Sequence, residues 1–401
     1  MLPSKLPRDI IMNMTNFNYK NACKIIFGKN DESVLAQEIK NQGAKRVLIH
    51  YGKNSIVKSG LLGRITLALK NLGIKYFEHG GVSANPLRSH ALEGISLVKK
   101  NKIDFILAVG GGSVIDSAKM ICAGAVNKNI WDFYDSKKEL KGALPLGVVL
   151  TIPAAGSEGS TASVVKDDKT GIKRVLSREC LRPAFAFVNP ELCATLPKEQ
   201  VAYGASDILA HLLERYFSPE ENVVVTDKLL TGAIQSMFVI APKVYKNPAE
   251  YDSMAEFCLL GTLAHNGMLA LGRNIQAWES HPIEMSFISG HYNFAHGQGL
   301  SIIFPAWLKY MAEKKPGKVL QFAKEVMKAT GKTDAETMKK GIVYLEKFFK
   351  SLNLPVSLKE LNIDVSEAKE VVKTVFPTDV VLGGYGKLSL DDILNIVDLA
   401  K

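Results

Sequence analysis

The segment at residues 203–217, YGASDILAHLLERYF, places two potential cation ligands four residues apart. On a helix, Asp207 and His211 would share one face, with their Cβ atoms about 5 to 6 Å apart. Most other positions are apolar, so the helix is expected to be buried. A divalent cation would satisfy both buried polar groups. The alternative is a core hydrogen bond between them, with Glu214 and Arg215 at a solvated edge.

A second segment, WESHPIEMSFISGHYNFAHGQGL at residues 278–300, holds three of the eight histidines of the chain: His281, His291 and His296. Together with the first segment they offer a metal ion one carboxylate and up to three imidazoles as ligands. Ferrous iron and zinc suit such a ligand set, with a coordination position left open for a substrate.

A glycine-rich run, Gly110, Gly111 and Gly112 followed by Ser113, comes directly after an apolar segment at residues 103–109. In a parallel sheet, a loop that leads from a strand into a helix presents the free amides of that helix where a phosphate can bind. Glycines, which have no side chain, let the loop backbone come close to the phosphate. The run is not G-x-G-x-x-G, so the usual Rossmann motif does not apply. The alternative is a plain strand-to-helix turn capped by Ser113.

These residues need a scaffold, and the pattern before residue 190 predicts one. Apolar runs predict strands at residues 25–27, 46–51, 74–77, 103–109, 146–151 and 184–188, and helical spacing predicts helices at 55–72, 87–101 and after 113. Such alternation is typical of a parallel sheet with helices on both faces. Beyond residue 196 helical patterns dominate. We therefore predict an α/β domain at residues 1–194 and an all-helical domain at 195–401.

The composition excludes several classes of protein. A chain of 401 residues is long enough for two domains. Its 50 Lys and Arg against 40 Asp and Glu give a net charge of +10, but the basic residues are scattered, which argues against a nucleic-acid partner. The five cysteines form no disulfide framework, and we recognise no membrane span or signal peptide. A cytoplasmic protein with a small-molecule partner is expected.

Four motifs in order carry a resemblance to a known family: GGGSVID at 110–116, TIPAAGSEGS at 151–160, GASDILAHLLERY at 204–216 and AHGQG at 295–299. The chain resembles the iron-containing (group III) alcohol dehydrogenases, near the butanol dehydrogenase and NADPH-dependent aldehyde reductase branch. The resemblance implies an α/β dinucleotide-binding domain with a parallel sheet and an all-α metal-binding domain, the dehydroquinate synthase-like fold. It also implies a cleft between the domains and a homodimer.

The family's functional positions transfer to residues of this chain. The metal ligands implied by the resemblance are Asp207, His211, His281 and His296. The implied dinucleotide-binding residues are Gly110, Gly111, Gly112, Ser113 and Asp116 at the pyrophosphate, with Thr151, Ser157, Ser160 and, near the nicotinamide ribose, Lys173.

Two departures from the family pattern affect the metal site. The interval from His281 to His296 carries one residue more than is usual, and Met285 stands where another histidine is common. Within a helix, an inserted residue rotates everything after it by about 100° unless a bulge or loop absorbs it. His291 could therefore compete with His296 as a ligand, and it is also a candidate catalytic helper in proton supply.

The nucleotide preference follows from the loop after residue 51. Enzymes that prefer NAD place a carboxylate on the adenosine ribose, whereas Gly52, Lys53, Asn54 and Ser55 include no acid. We expect NADP(H) to be favoured over NAD(H), Fe(II) or alternatively Zn(II) as the metal, and hydride transfer between the nicotinamide and an aldehyde or primary alcohol. The alternatives are a zinc-dependent glycerol or polyol dehydrogenase and a non-catalytic dinucleotide- or metal-binding relative.

Overall fold

A six-stranded parallel sheet forms the scaffold of the first half of the chain. The computed structural model describes residues 14–220 and 222–401. The strands are β1 Lys24–Phe27, β2 Arg46–Tyr51, β3 Lys75–His79, β4 Phe105–Gly110, β5 Leu146–Leu150, β6 Ala162–Lys166, β7 Lys173–Ser177 and β8 Phe185–Val188. The sheet order is β1-β8-β5-β4-β2-β3, and every pairing is parallel. The predicted parallel sheet is confirmed.

Helices cover both faces of this sheet. They are α1 Glu32–Asn41, α2 Ser55–Lys58, α3 Leu61–Asn71, α4 Arg88–Asn101 and α5 Gly112–Val126. Because side chains alternate along a strand, Val47 and Ile49 pack towards α1 and α3, while Leu48 packs towards α4 and α5. The carboxyl ends of the strands therefore lie at one edge, between two buried layers.

The remaining long helices follow residue 197. They are α6 Lys198–Tyr216, α7 Val224–Lys246, α8 Tyr251–His265, α9 Ser280–Phe287, α10 His296–Lys314, α11 Pro316–Gln321, α12 Asp334–Ser351, α13 Val365–Val375 and α14 Leu390–Leu399. Short 3₁₀ turns lie at Ile130–Phe133, Ser157–Gly159, Glu179–Leu181, Pro190–Cys193, Met268–Ala270 and Leu358–Leu361, and a π-helical turn at Phe322–Val326. By length and composition alone α7 could cross a membrane, a test that core helices of soluble proteins also pass.

The structure differs from the sequence prediction in several elements, and helix α1 was among those not predicted. The helix predicted at residues 55–72 is split into α2 and α3, because Gly60 adopts a left-handed conformation with φ of 74°. An antiparallel hairpin, β6–β7, was not predicted. The apolar core on the α5 side of the sheet runs continuously into the helices after residue 197. The domain boundary between residues 194 and 195 stays a prediction.

Candidate metal and nucleotide site

Helix α6 carries the first two predicted ligands through the middle of the protein. Neighbouring elements pack on all sides, so nearly every residue from Val201 to Tyr216 is buried. Asp207 and His211 lie one turn apart on this helix, as predicted. The alternative that placed Glu214 and Arg215 at a solvated edge is wrong, since their exposed fractions are 0% and 4%. The helix therefore buries two acids, a histidine and an arginine.

One carboxylate oxygen, Asp207 Oδ1, is the meeting point of three imidazoles. It lies 3.1 Å from Nδ1 of His211, 3.7 Å from Nε2 of His281 and 3.9 Å from Nε2 of His296. One ligand atom each from Asp207, His281 and His296 falls within 4.8 Å of the others, a spacing that fits a metal ion. The structure thus brings three of the four nominated residues into one group of potential ligand atoms, and the fourth, His211, contacts Asp207 beside that group.

Two buried glutamates orient two of the imidazoles. His281 Nδ1 donates to Glu214 at 3.1 Å, and His296 Nδ1 donates to Glu284. Both rings therefore turn Nε2 towards Asp207, and such carboxylate–imidazole pairs fix metal-binding histidines in proteins. His211 is oriented differently, because its Nδ1 also contacts the backbone oxygen of Asp207 at 2.9 Å.

The charges at this point are unbalanced without a cation. Burial raises the pKa of Asp207, but the surrounding imidazoles outweigh it and hold that pKa well below its usual 3.8. Burial lowers the pKa of His281, yet the nearby carboxylates of Asp207 and Glu214 raise it to about 9. Within residues 14–220 and 222–401, Asp207 Oδ1 and His281 Nε2 are buried without a hydrogen-bond partner. A divalent cation would satisfy both atoms, so these residues fit a metal.

The extra residue between His281 and His296 is absorbed by a loop. Helix α9 ends at Phe287, and the amides of His291 and Tyr292 both donate to the Phe287 carbonyl at 2.9 Å, which forms a wide turn. The chain then re-enters helix α10 at His296. His291 is exposed and packs edge-on against Tyr292, outside the group of ligand atoms, and Met285 is half-buried.

The predicted pyrophosphate loop lies at the carboxyl ends of β4 and β5. Helix α5 begins at Gly112, so its first amides have no acceptor within the helix. A Cβ on Gly111 would come within 2.8 Å of Ile152, and one on Gly112 within 3.2 Å of Ala155. The glycines therefore allow this loop to pack closely on the loop after β5, where Thr151 is half-exposed. Ser113 does not cap the helix, because Gly111 holds the cap position.

Three of the predicted nucleotide contacts belong to an internal network around Lys119. The Lys119 ammonium is buried and lies within hydrogen-bond distance of five oxygens, which share its three N–H donors: the carbonyls of Ser157, Ser160 and Ala162 and the hydroxyls of Ser157 and Ser160. Ser157 in turn donates to Asp116 at 2.6 Å. Burial lowers the pKa of Lys119 to about 8. Direct cofactor contact by Asp116, Ser157 and Ser160 stays a prediction.

Lys173 connects the hairpin β6–β7 to the predicted metal ligand His296. Its ammonium donates to Ser289 Oγ at 2.7 Å, and Ser289 donates to Glu284 at 3.0 Å. Because Glu284 also accepts from His296, the lysine is joined to a ligand through two intermediate groups. Burial lowers the pKa of Lys173 below its usual 10.5.

The loop predicted to select the nucleotide follows β2. Gly52 is half-buried beside Val82 and Val114, whereas Lys53, Asn54 and Ser55 are exposed. The Gly52 carbonyl accepts from the Gly81 amide at 2.9 Å, which ties this loop to the one after β3.

Sequence reasoning missed four residues of this region: Lys119, Glu214, His265 and Glu284. His265 lies at the end of α8, with its ring 4.3 Å from that of His211 and its Nδ1 2.8 Å from the Ala155 carbonyl oxygen. The sequence signals that could have found two of them are the spacing H-x-x-E from His281 to Glu284 and a lysine inside the mostly apolar helix α5. Of the aromatic residues, Trp278 packs against His281 and Arg215, whereas Phe287 is core.

Comparisons with known proteins agree with this arrangement. Residues 22–190 match the model of the iron-containing alcohol dehydrogenases, and residues 201–400 match the C-terminal model of the Fe-containing alcohol dehydrogenase family. A probable NADH-dependent butanol dehydrogenase 2 of Bacillus subtilis is 36% identical over 96% of this chain and 99% of its own length. The NADPH-dependent aldehyde reductase YqhD of Escherichia coli is 33% identical over 97% of this chain and 100% of its own.

A solved structure extends the likeness to three dimensions. The NADH-dependent butanol dehydrogenase A of Thermotoga maritima superposes with a TM-score of 0.92 at 36% identity and covers 97% of this chain and 99% of its own. The expected fold, an α/β half with a helical half, is therefore confirmed, and the chain belongs to the iron-containing alcohol dehydrogenase family.

Proposed function

We propose that the protein transfers a hydride reversibly between NADP(H) and an aldehyde or primary alcohol at a divalent metal held by Asp207, His211, His281 and His296. The observation that carries this proposal is the convergence of three imidazoles on one unsatisfied carboxylate oxygen. A bound divalent ion supplies Lewis-acid polarisation of a carbonyl. Because the chain belongs to the iron-containing family, we propose Fe(II) as the ion, with Zn(II) as the alternative.

The side chains of this site have separable tasks. Asp207 contributes the negative charge, and Glu214 and Glu284 hold the proton of each imidazole on Nδ1 so that Nε2 stays free. The chain of hydrogen bonds from Lys173 through Ser289 to Glu284 is a route by which a proton can reach the neighbourhood of His296. The exposed His291 remains a candidate helper only, and His291→Gln tests that role directly.

The nucleotide is placed by the loops at the carboxyl ends of the strands. The amides at the start of α5 face the region where a pyrophosphate would bind, and the Lys53 ammonium supplies the positive charge that a 2′-phosphate requires. The named relatives include both NADH- and NADPH-dependent enzymes. The acid-free loop Gly52–Ser55 supports NADP(H) for this chain.

The natural setting that we propose is a cytoplasmic homodimer acting on small aldehydes. The test is butanal-dependent oxidation of NADPH and NADH by the purified protein, before and after chelation and after addition of Fe(II) or Zn(II). Turnover that is lost on chelation, regained with metal and faster with NADPH supports the proposal. Binding of metal and nucleotide without turnover would support the non-catalytic alternative, and strict NAD dependence with glycerol would support the polyol dehydrogenase.

A further inference from the structure

Three histidines of the α/β half form a second cluster, far along the chain from the ligands of α6. His50 is the fifth residue of β2, His79 ends β3, and His90 lies in the first turn of α4. One nitrogen from each imidazole lies within 4.8 Å of the other two, the same spacing that marks the Asp207 site. With the four histidines near Asp207, this cluster accounts for all but one of the eight in the chain.

Contacts inside the cluster bring ring nitrogens together. His50 Nδ1 lies 3.0 Å from His79 Nδ1 and 3.0 Å from the His79 carbonyl oxygen. At this distance the two Nδ1 atoms cannot both carry a proton. The simplest arrangement is one proton shared between them. A cation placed there would replace that proton and meet two nitrogens and an oxygen.

The outer nitrogens are oriented by oxygen partners. His50 Nε2 lies 2.9 Å from the buried Ser117 hydroxyl, which can donate or accept, so His50 can adopt either tautomer. His90 Nε2 donates to the Gly80 carbonyl at 3.0 Å. This leaves a lone pair on His90 Nδ1, a buried atom for which the described residues provide no hydrogen-bond partner. Such outer hydrogen bonds are what fix the imidazoles of a metal site.

We propose that His50, His79 and His90 form a second metal site, which binds a late first-row divalent cation such as Zn(II). Three imidazoles without a carboxylate suit zinc, nickel or copper, and three protein ligands leave an open coordination position. His79 and His90 are half-buried, so an ion can enter from solvent. In the ion-free protein the rings stack, with centroids 4.2 and 5.0 Å apart, and binding requires at least one ring to turn.

The test uses the full-length chain carrying Asp207→Asn and His281→Gln, which removes two ligands of the first site. Zinc is measured by mass spectrometry after gel filtration and by calorimetry with ZnCl₂. We expect this chain to retain about one zinc ion, as in a three-ligand site. Adding His79→Asn and His90→Gln should abolish that binding, whereas adding His291→Gln, the same kind of change at an exposed histidine, should leave it intact.

A milder variant guards against misfolding. Ser117→Ala removes only the oxygen that orients His50, and zinc affinity should fall roughly 10- to 100-fold with the unfolding temperature of the zinc-free chain little changed. Zinc binding that is equal with and without His79 and His90, or no zinc binding at micromolar concentration in the Asp207→Asn, His281→Gln chain, would overturn the proposal.

Discussion

The raised pKa of His281 makes the stability of the metal-free protein depend on pH. In the fold this pKa is about 9, against 6.5 for an ordinary histidine, because Asp207 and Glu214 outweigh the effect of burial. The folded state therefore binds this proton more tightly than the unfolded state. The resulting stabilisation is fully present below pH 6.5 and is lost as the pH rises through 9. At about 1.4 kcal/mol for each pKa unit, the loss is roughly 3 kcal/mol.

The perturbation that isolates this effect is His281→Gln, which removes the titrating group. Metal is first removed from the wild type and from His281→Gln with a chelator. We then expect the difference between their free energies of unfolding to shrink by roughly 3 kcal/mol between pH 6.5 and pH 9. Urea unfolding followed by circular dichroism at several pH values measures it. Because a metal must displace the same proton, Zn(II) affinity of the wild type should rise up to tenfold per pH unit below pH 9.

If the stability difference between the two proteins is constant from pH 6.5 to 9, His281 carries no raised pKa in the metal-free fold. If that difference falls but zinc affinity is independent of pH, His281 titrates without being a ligand.

Three further predictions concern other parts of the site. Glu284→Gln should weaken metal binding roughly 10- to 100-fold, measured by competition with a chelator, because it weakens the hold on His296. Lys53→Ala should raise KM for NADPH roughly tenfold or more while KM for NADH stays constant, since a charge-assisted hydrogen bond contributes about 1.5–3 kcal/mol; an equal effect on both nucleotides would contradict the proposed 2′-phosphate contact. Gly111→Ala should destabilise the protein by about 1–3 kcal/mol in urea unfolding, because its Cβ would lie 2.8 Å from Ile152; Gly63→Ala, which meets nothing within 4 Å, is the matched control.

The elements with a strong period could be predicted from the sequence. Strand β2 was predicted with its observed bounds, and the buried character of α6 followed from its apolar residues. The hairpin β6–β7 was missed because each strand offers only one apolar pair between polar side chains, Val164–Val165 in β6 and Val175–Leu176 in β7. A glycine such as Gly60 can lie inside a helix or end one. The division between α2 and α3 therefore depends on tertiary packing, which the hydrophobic pattern of the sequence does not show.

The predicted metal ligands could be nominated from the sequence, but the side chains that orient them could not. From the helix pattern Glu214 is expected at an edge, and only the approach of the first residues of α9 brings its carboxylate into contact with His281. The extra residue before His296 posed a question of geometry. The position of His296 depends on a wide turn in which two amides donate to the Phe287 carbonyl. Local residue preferences do not predict such a turn.

The hairpin β6–β7 belongs by chain order to the sheet half, yet its lysines reach the turn between α9 and α10. Lys173 bonds Ser289, and Lys166 donates to the Gly290 carbonyl at 3.1 Å, while the Lys166 amide bonds the Pro86 carbonyl beside α4. Any motion that moves the hairpin away from this turn must therefore break both lysine contacts. Displacement of the hairpin would then disturb the hydrogen bonds from Ser289 to Glu284 and from His296 to Glu284.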